Sequence, residues 1–492
     1  MQEPRESGPL VRRAAGILLH PTSLPAENGL GDLGSTAWRF AEFLAAAGMR
    51  IWQVLPLGPT LGDLSPYQNL SVHAGNPRLI SLQRLREWGW LDTLPAPSGS
   101  EEAWRRNCLE AAWRGFQARA DSAQWEALEA FRESHPWLGD FALFCAIRET
   151  QGLRAWTAWP ALLRDRDPEA LAQFAATHRD RVQRIEFEQY CFFRQWHELR
   201  AHVHGLGIRL FGDMPIFAAH DCAEVWANRR YFKLDACGRP RVVAGVPPDY
   251  FSRTGQRWGN PLYDWDALEA EGFQWWVERM RTQLELYDLV RIDHFRGFVA
   301  AWEIPAGERT AVHGTWVPGP GERLFRRLVQ EFGPLPVVAE DLGTITDDVV
   351  ALREALGFPG MKVLQFAFGG DAHNPYLPHN HEPGAVVYTG THDNDTTLGW
   401  YRSLQPQVRD HLEAYAPSGE PMPWRLVRMA LASVARLAVI PMQDVLALGS
   451  EARMNTPGRR GGNWRWQFSW EQVEEGLAER LRELNRLYGR VD

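Results

Sequence analysis

The segment Leu289-Val290-Arg291-Ile292-Asp293-His294-Phe295 begins as a short apolar run and ends on a carboxylate, with an arginine two residues before it. Side chains on a β-strand repeat with period two, so Arg291 and Asp293 share a face. A guanidinium beside a carboxylate favours the ionised form. A carboxylate held ionised at a strand end can serve as a nucleophile. For one such pair alone, a structural ion pair at a sheet rim is the simpler reading. Other strands in the chain also end on acids, and that changes the balance.

Outward from this stretch, Gly16 to His20 reads as a buried strand followed by a Pro-rich loop. Ser35 reads as the N-cap of a helix running to about Ala47, with Gly48 as its stop. Ile51 to Leu57 is a second strand, and strand, helix, strand with short links makes a parallel βαβ unit. Residues 58–207 follow as a mainly helical insertion after this strand, with helical spacing over 101–134 and 183–204. The third strand, Ile208–Pro215, carries Asp213 near its end. Residues 214–288 read as a loop-rich insertion, loop-like from Phe217 to Tyr263, and its 245–260 part reads as an active-site lid. An amphipathic helix over Phe273–Tyr287 leads into the fourth strand, Leu289–Asp293. After a helix near Leu324–Phe332 come strands at Leu335–Asp341, Met361–Phe366, Ala385–Thr389 and Leu437–Met442, with a charged helical tail from Trp470. Eight strands alternating with helices predict an α/β fold, a (β/α)8 barrel spanning 1–492 as a single catalytic unit. An open doubly wound sheet would want a glycine-rich phosphate turn after the first strand, and no GxGxxG or Walker sequence stands there.

Composition narrows the function. The chain has 492 residues, 45% of them hydrophobic, which is ample for a large core. A net charge of -8 with mixed signs and no basic run argues against a nucleic-acid partner. Five widely spaced cysteines, Cys108, Cys145, Cys191, Cys222 and Cys237, form no CxxC and fit reduced thiols in a cytoplasmic protein. The apolar run Ala14–Leu19 is too short for a signal-peptide core, and no apolar segment is long enough to span a membrane. The 23 tryptophans belong mostly to the core, but some are candidate platforms for the apolar faces of sugars.

Barrel active sites lie at the C-terminal ends of the strands. Asp213, Asp293, Glu340 and Asp393 all fall at such ends. A carboxylate cluster serves either a divalent metal or paired acid/base chemistry. His294 and His392 are near, but no HExxH or His-x-His spacing occurs. Two opposed carboxylates acting on a sugar fit better, with Asp293 as nucleophile, Glu340 as an acid kept protonated by acidic neighbours, and Asp393 stabilising positive charge on the sugar. In a retaining reaction the first two would sit about 5 Å apart. His392 is a candidate donor to a sugar hydroxyl. His294 reads equally as a substrate contact or as a rim histidine satisfied by backbone.

The segments Gly212–Phe217, Arg291–Gly297, Ala339–Gly343 and Gly390–Thr396 resemble the four signature regions of the α-amylase superfamily. Their form is similar to that of the 4-α-glucanotransferases, the amylomaltase or disproportionating-enzyme family. Ser65–Gln68, Gly245–Asn260, Asn374–Asn380, Asn455–Gly458 and Gly462–Trp464 match the same family, and the resemblance covers nearly the whole chain. It implies retaining transfer of α-1,4-glucan segments among maltooligosaccharides, other α-1,4-glucans and glucose, without cofactor or metal. It also implies Asp293 as nucleophile, Glu340 as general acid/base and Asp393, rather than Asp395, as stabiliser. Arg291, His392 and Asp213 would complete the donor pocket. Tyr67, Asp249, Gln256 and Trp258 would line the groove, with His294, Asn374 and Asn463 as further substrate contacts. A monomer is expected. Some relatives carry a tyrosine between Pro59 and Ser65 that serves a second glucan site, whereas Thr60-Leu61-Gly62-Asp63-Leu64 has no aromatic. The C-terminal β-sandwich common among α-amylases is not expected. The alternatives are an α-glucan hydrolase with the same acids in an open groove, a non-catalytic glucan-binding protein, against which the intact acid set argues, and a carboxylate metalloenzyme.

Overall fold

The computed structural model describes residues 10–491 apart from 27–28, 95–98, 249–251, 418 and 460. Eight parallel strands form the central sheet: β1 (Ala14–Leu18), β2 (Ile51–Gln53), β3 (Arg209–Pro215), β6 (Leu289–Asp293), β9 (Val337–Ala339), β10 (Gly360–Val363), β11 (Ala385–Tyr388) and β12 (Leu437–Pro441). Their spatial order is β10-β11-β12-β1-β2-β3-β6-β9. The ends of this order meet: the Ala339 N–H donates to Pro359 O at 2.9 Å, and the Met361 N–H to Asp341 Oδ1 at 2.7 Å. The sheet is thus an α/β barrel.

The strand pleat sorts every side chain to one of two cores. Ile51, Phe211, Leu289, Val338, Val386, Tyr388, Leu437 and Val439 fill the barrel interior. Trp52, Leu210, Val290, Val337, Val387 and Ala438 face the surrounding helices. Continuing the inward parity toward the C-terminal ends gives Gln53 after Ile51, Asp213 after Phe211, Arg291 and Asp293 after Leu289, and Glu340 after Val338. The site therefore follows from the apolar pattern beneath it. In β3, Gly212 leaves room for a neighbour: a Cβ there would lie 2.1 Å from the Tyr287 ring.

Several elements differ in extent from the sequence reading. β3 and β6 end where the sequence reading placed them, with Asp213, Arg291 and Asp293 still inside the strands, whereas the other six barrel strands end one to four residues earlier than expected. The helix Ser35–Ala46 begins on Ser35 with Gly34 at its N-cap, and no side chain caps it. The tail helix is Leu477–Leu487. Between β2 and β3 the chain is mainly helical from Leu82 onward, and its last helix, Arg179–Gly205, reaches the barrel wall. There Trp196 Nε1 donates to Leu286 O at 2.9 Å, His202 stacks on Trp38 at 4.3 Å, and Arg200 pairs with Asp288 at 2.7 Å.

The loop-like reading of Phe217–Tyr263 is corrected. Two strands lie in it, β4 (Val242–Val246) and β5 (Gln256–Pro261). They join β7 (Ala300–Pro305) and β8 (Thr315–Pro318) in an antiparallel sheet ordered β5-β4-β7-β8. The Pro- and Gly-rich composition that suggested a loop is shared between the strands, which contain Gly245, Gly259 and Pro261, and the connection between them. This four-stranded arm stands beside the barrel mouth, and Trp258 on β5 meets His294 just beyond β6.

Candidate active site

Arg291 is the hub. Its Nη1 donates to both oxygens of Asp213, at 2.8 and 2.7 Å, and its Nη2 to Asp293 Oδ1 at 2.8 Å. The register explains this fork. Asp213 sits directly across from Arg291, and Asp293 is two residues on along the same face. Burial opposes the charge of Arg291, but Asp213 and Asp293 outweigh it and hold the guanidinium protonated. The two carboxylates differ in access. The Asp213 side chain is 0% exposed and that of Asp293 31%. Asp213 also accepts from the Tyr67 hydroxyl at 2.8 Å, so protein donors occupy both of its oxygens. It orients Arg291 and Tyr67 from below, while Asp293 reaches the open mouth. Burial pushes Asp213 up from the usual carboxylate range, against Arg291.

Glu340 follows β9 directly. Its Oε2 accepts the His294 N–H at 2.7 Å and its Oε1 the Leu342 N–H at 2.9 Å. His294 adopts the left-handed conformation, φ 55° and ψ 50°, and that turn after Asp293 aims its N–H at Glu340. Burial pushes the Glu340 carboxyl up to about 7, with Asp293 adding to the shift and Arg291 and the two N–H groups opposing it. A carboxyl at that value is protonated at neutrality in a large fraction of molecules, as a general acid requires. The His294 ring itself is driven down to about 4 by burial, and Trp258 packs edge-on against it at 4.7 Å.

The third acid stands across the mouth. Asp393 Oδ1 accepts from Asn455 Nδ2 at 2.6 Å and lies 3.4 Å from His392 Nε2. The Tyr67 hydroxyl lies 2.9 Å from the same His392 nitrogen, so Asp213, Tyr67, His392 and Asp393 form one chain of polar contacts. Trp464 closes the side of this chain, 5.9 Å from Tyr67 and 6.0 Å from His392. Asp395 belongs elsewhere. Its oxygens take the Ser450 hydroxyl at 2.7 Å and the Thr396 N–H at 2.8 Å.

Other expected contacts hold the walls. Asn374 donates to Phe366 O and Gly369 O and accepts the Tyr376 N–H, so its amide shapes its own loop. Asn463 accepts the Thr456 N–H at 3.1 Å and donates to Arg459 O at 3.0 Å. Both side chains are thus held by bonds within their own loops, as an Asn beside Pro or Gly closes turns with its own amide. Gln256 lies exposed on the arm and accepts the Trp258 indole N–H at 3.1 Å. Asp249 lies outside the described residues.

Three further residues stand near the acids without a signal in the sequence that marks them. Asn455 holds Asp393, and Arg453 ties Asn455 O at 2.7 Å to Asp393 O at 2.6 Å. His20 is buried after β1 near His392, and burial lowers its pKa to about 3. Among the described residues, no group of three or more His, Cys, Asp or Glu is placed to hold a metal.

The family model described as 4-alpha-glucanotransferase matches residues 19–472. A 4-alpha-glucanotransferase of Thermus thermophilus is 53% identical over 487 residues, spanning 96% of this chain and 97% of that one. A 4-alpha-glucanotransferase of Solanum tuberosum, named as chloroplastic/amyloplastic, is 44% identical and spans 98% and 87%. Among solved structures, the amylomaltase from Streptococcus agalactiae in complex with acarbose superposes with a TM-score of 0.94 at 36% identity, covering 98% of this chain and all of that one.

Proposed function

The chain belongs to the 4-alpha-glucanotransferase family, and from that premise we propose how its residues divide the reaction. The enzyme transfers segments of α-1,4-glucan between maltooligosaccharides and related glucans. In the proposed mechanism, Asp293 attacks the anomeric carbon while Glu340 gives its proton to the leaving oxygen. The bond to the departing chain breaks, and the donor segment stays on Asp293 as a glycosyl ester. Glu340, now ionised, takes the proton from the 4-hydroxyl of an acceptor glucan or of glucose. That oxygen displaces Asp293, and the α configuration is restored after two inversions. Asp393 and His392 hold ring hydroxyls, and Asp393 stabilises the positive charge that develops on the sugar. Arg291 fixes Asp293, and Asp213 with Tyr67 fixes Arg291.

The observation that carries the division of roles is the contrast between Asp293 and Glu340. One carboxylate is paired to a guanidinium, and the other is pushed up to about 7 by burial. Environments that separate two neighbouring carboxyls in this way assign acid and nucleophile. The arm over 245–260, with Gln256 and Trp258, is proposed to cover the groove and exclude water, which favours transfer over hydrolysis. We also propose that the protein acts as a monomer in the cytoplasm. The five free cysteines and the absence, among the described residues, of a helix long and apolar enough to cross a membrane support that placement.

Incubation with pure maltotriose tests the proposal. The wild type should release glucose and build longer chains at constant total reducing ends, with or without EDTA. Glu340→Gln should lose about 10²- to 10⁴-fold in rate. On α-maltotriosyl fluoride, whose leaving group needs no proton, the same variant should accumulate a glycosylated peptide containing Asp293. Wild-type rates from Glu340→Gln, or label on another acid, would overturn the assignment.

A further inference from the structure

Glu340 is gripped by two different loops. One bond to its carboxyl comes from His294, in the turn after β6, and the other from Leu342, in the loop after β9. The Leu342 bond stays within the loop that carries Glu340, and backbone bonds from the Glu340 N–H to Ile292 O at 3.0 Å and from the Phe295 N–H to Glu340 O at 3.2 Å join the two loops at their base. The His294 bond crosses between the loops and holds only while they keep their relative position. Upstream of Leu342, the second loop is well tied: Asp341 takes Arg353 Nη1 and the Met361 N–H, each at 2.7 Å. Downstream comes Gly343 with φ 85°, a conformation that lends the loop no stiffness of its own. The next residue, Thr344, is held from outside. Its carbonyl accepts from Arg296 Nη1. Arg296 lies in the turn Phe295–Phe298, directly after the His294 that donates to Glu340. Its guanidinium carbon sits 4.0 Å from the centre of the Trp316 ring on β8. Trp302 on β7 meets that ring edge-on at 5.3 Å. The antiparallel arm thus supplies the surface on which Arg296 rests.

We propose that Arg296 is a positioning residue for glucan transfer: it staples the loop after Glu340 to the turn after Asp293, with Trp316 as its backing, and so holds the acid/base in line with the nucleophile. The proposal rests on the reading of Glu340 as acid/base. It also links the arm to the chemistry by a route separate from Trp258, through the β8 edge rather than through the groove.

Arg291 and Asp293 are the charged groups that act most strongly on the Glu340 carboxyl, with Tyr376 more distant, whereas Arg296 is bonded to Thr344 O and faces Asp348. Removing the staple therefore acts on Glu340 through geometry. The His294 and Leu342 N–H bonds favour the ionised carboxyl, so loosening the His294 bond raises its pKa further. A general acid works while protonated, so the wild-type rate falls as pH rises through about 7. In the variant this alkaline limb moves to higher pH while the maximal rate falls.

The experiment compares pH profiles of maltotriose disproportionation for wild type, Arg296→Ala, Arg296→Lys and Trp316→Ala. Arg296→Ala should lose roughly ten- to a hundredfold in kcat, the scale of a small misplacement of a catalytic group, and its alkaline limb should move up. Arg296→Lys, which keeps one donor for Thr344, should recover part of both. Trp316→Ala should move both readouts in the same direction by less. It retains the arginine charge, and Trp316 is 39% exposed, so the core is left intact and this variant carries the test if Arg296→Ala does not fold. Wild-type kcat and an unmoved limb in Trp316→Ala and in folded Arg296→Ala would overturn the proposal. A rate loss without movement of the limb would also overturn it, because that pattern marks a purely structural arginine. If Glu340→Gln is inactive while these variants behave as wild type, the staple fails and the acid/base assignment stands. If Glu340→Gln is active, the assignment itself fails.

Discussion

At the barrel rim, Arg291 is 5% exposed and its donors reach two carboxylates on two neighbouring strands. On the arm, Trp258 is half-buried, and its indole N–H reaches Gln256, two residues away in its own strand. The rim side chains are fixed by the ladder, since the register that pairs Asp213 with Arg291 sets the distance between their charges. The arm side chains are fixed by local backbone and by contact across the mouth, as Trp258 is against His294. Rim residues should therefore couple stability to activity, and arm residues should affect activity alone.

The sharpest test of that difference is Arg291→Met. It leaves the Asp213 side chain buried without a cation and Asp293 without its partner. Breaking a buried ion pair from one side costs about 3–5 kcal/mol, so a large fall in melting temperature should accompany nearly complete loss of transfer. Adding Asp213→Asn removes the orphaned charge and should restore part of the stability, with no return of activity. If Arg291→Met melts close to wild type, the rim is not held by its charges and the comparison breaks.

Trp258→Ala probes the other side, with a smaller effect. Removal of this half-buried ring leaves the arm's strand pairing intact, so thermal unfolding should stay within a few degrees of wild type. The value of kcat/KM for maltotriose should fall roughly tenfold, equivalent to about 1.4 kcal/mol of lost contact with the sugar. A large drop in melting temperature would make Trp258 a core residue and dissolve the distinction between arm and rim.

This difference also governed what could be read from sequence. On the rim, period-two alternation in segments such as Leu289–Asp293 sorts inward from outward residues, and that parity places Asp213, Arg291, Asp293 and Glu340 toward one mouth. The arm was not legible. Val242 pairs with Pro305 and Val243 with Ile304, across more than sixty residues of sequence, and the β4–β5 ladder carries a register shift between Val243 and Gly245. Short strands with distant partners and proline at their ends carry little local signal. Asn455 had the same obscurity, because its bond to Asp393 crosses 62 positions and depends on how the loop after β12 returns to the mouth. The loop role of Asn374, by contrast, has a local signal. An Asn before Pro in a glycine-rich stretch signals a turn closed by its own amide, and the structure uses it that way.

Asn463 should show the smallest effect and marks where neither description applies. Its amide bonds to Thr456 and Arg459 stay within one loop near Trp464. Such solvent-facing amide bonds are each worth about 0.5 kcal/mol, the low end for neutral hydrogen bonds. Asn463→Ala should therefore leave kcat unchanged, change KM for maltotriose by less than about threefold, and move the melting temperature by only about one or two degrees. Binding and melting curves for this variant beside Trp258→Ala give the discriminating measurement. If its kcat/KM falls as far as that of Trp258→Ala while its stability holds, the amide leaves its loop bonds to meet the glucan, and the 456–463 loop acts as a second arm facing the first across the mouth. If the fall is absent, the loop is a wall of the groove, and Tyr67, His392 and Asp393 are the next residues on that side to test for substrate contact.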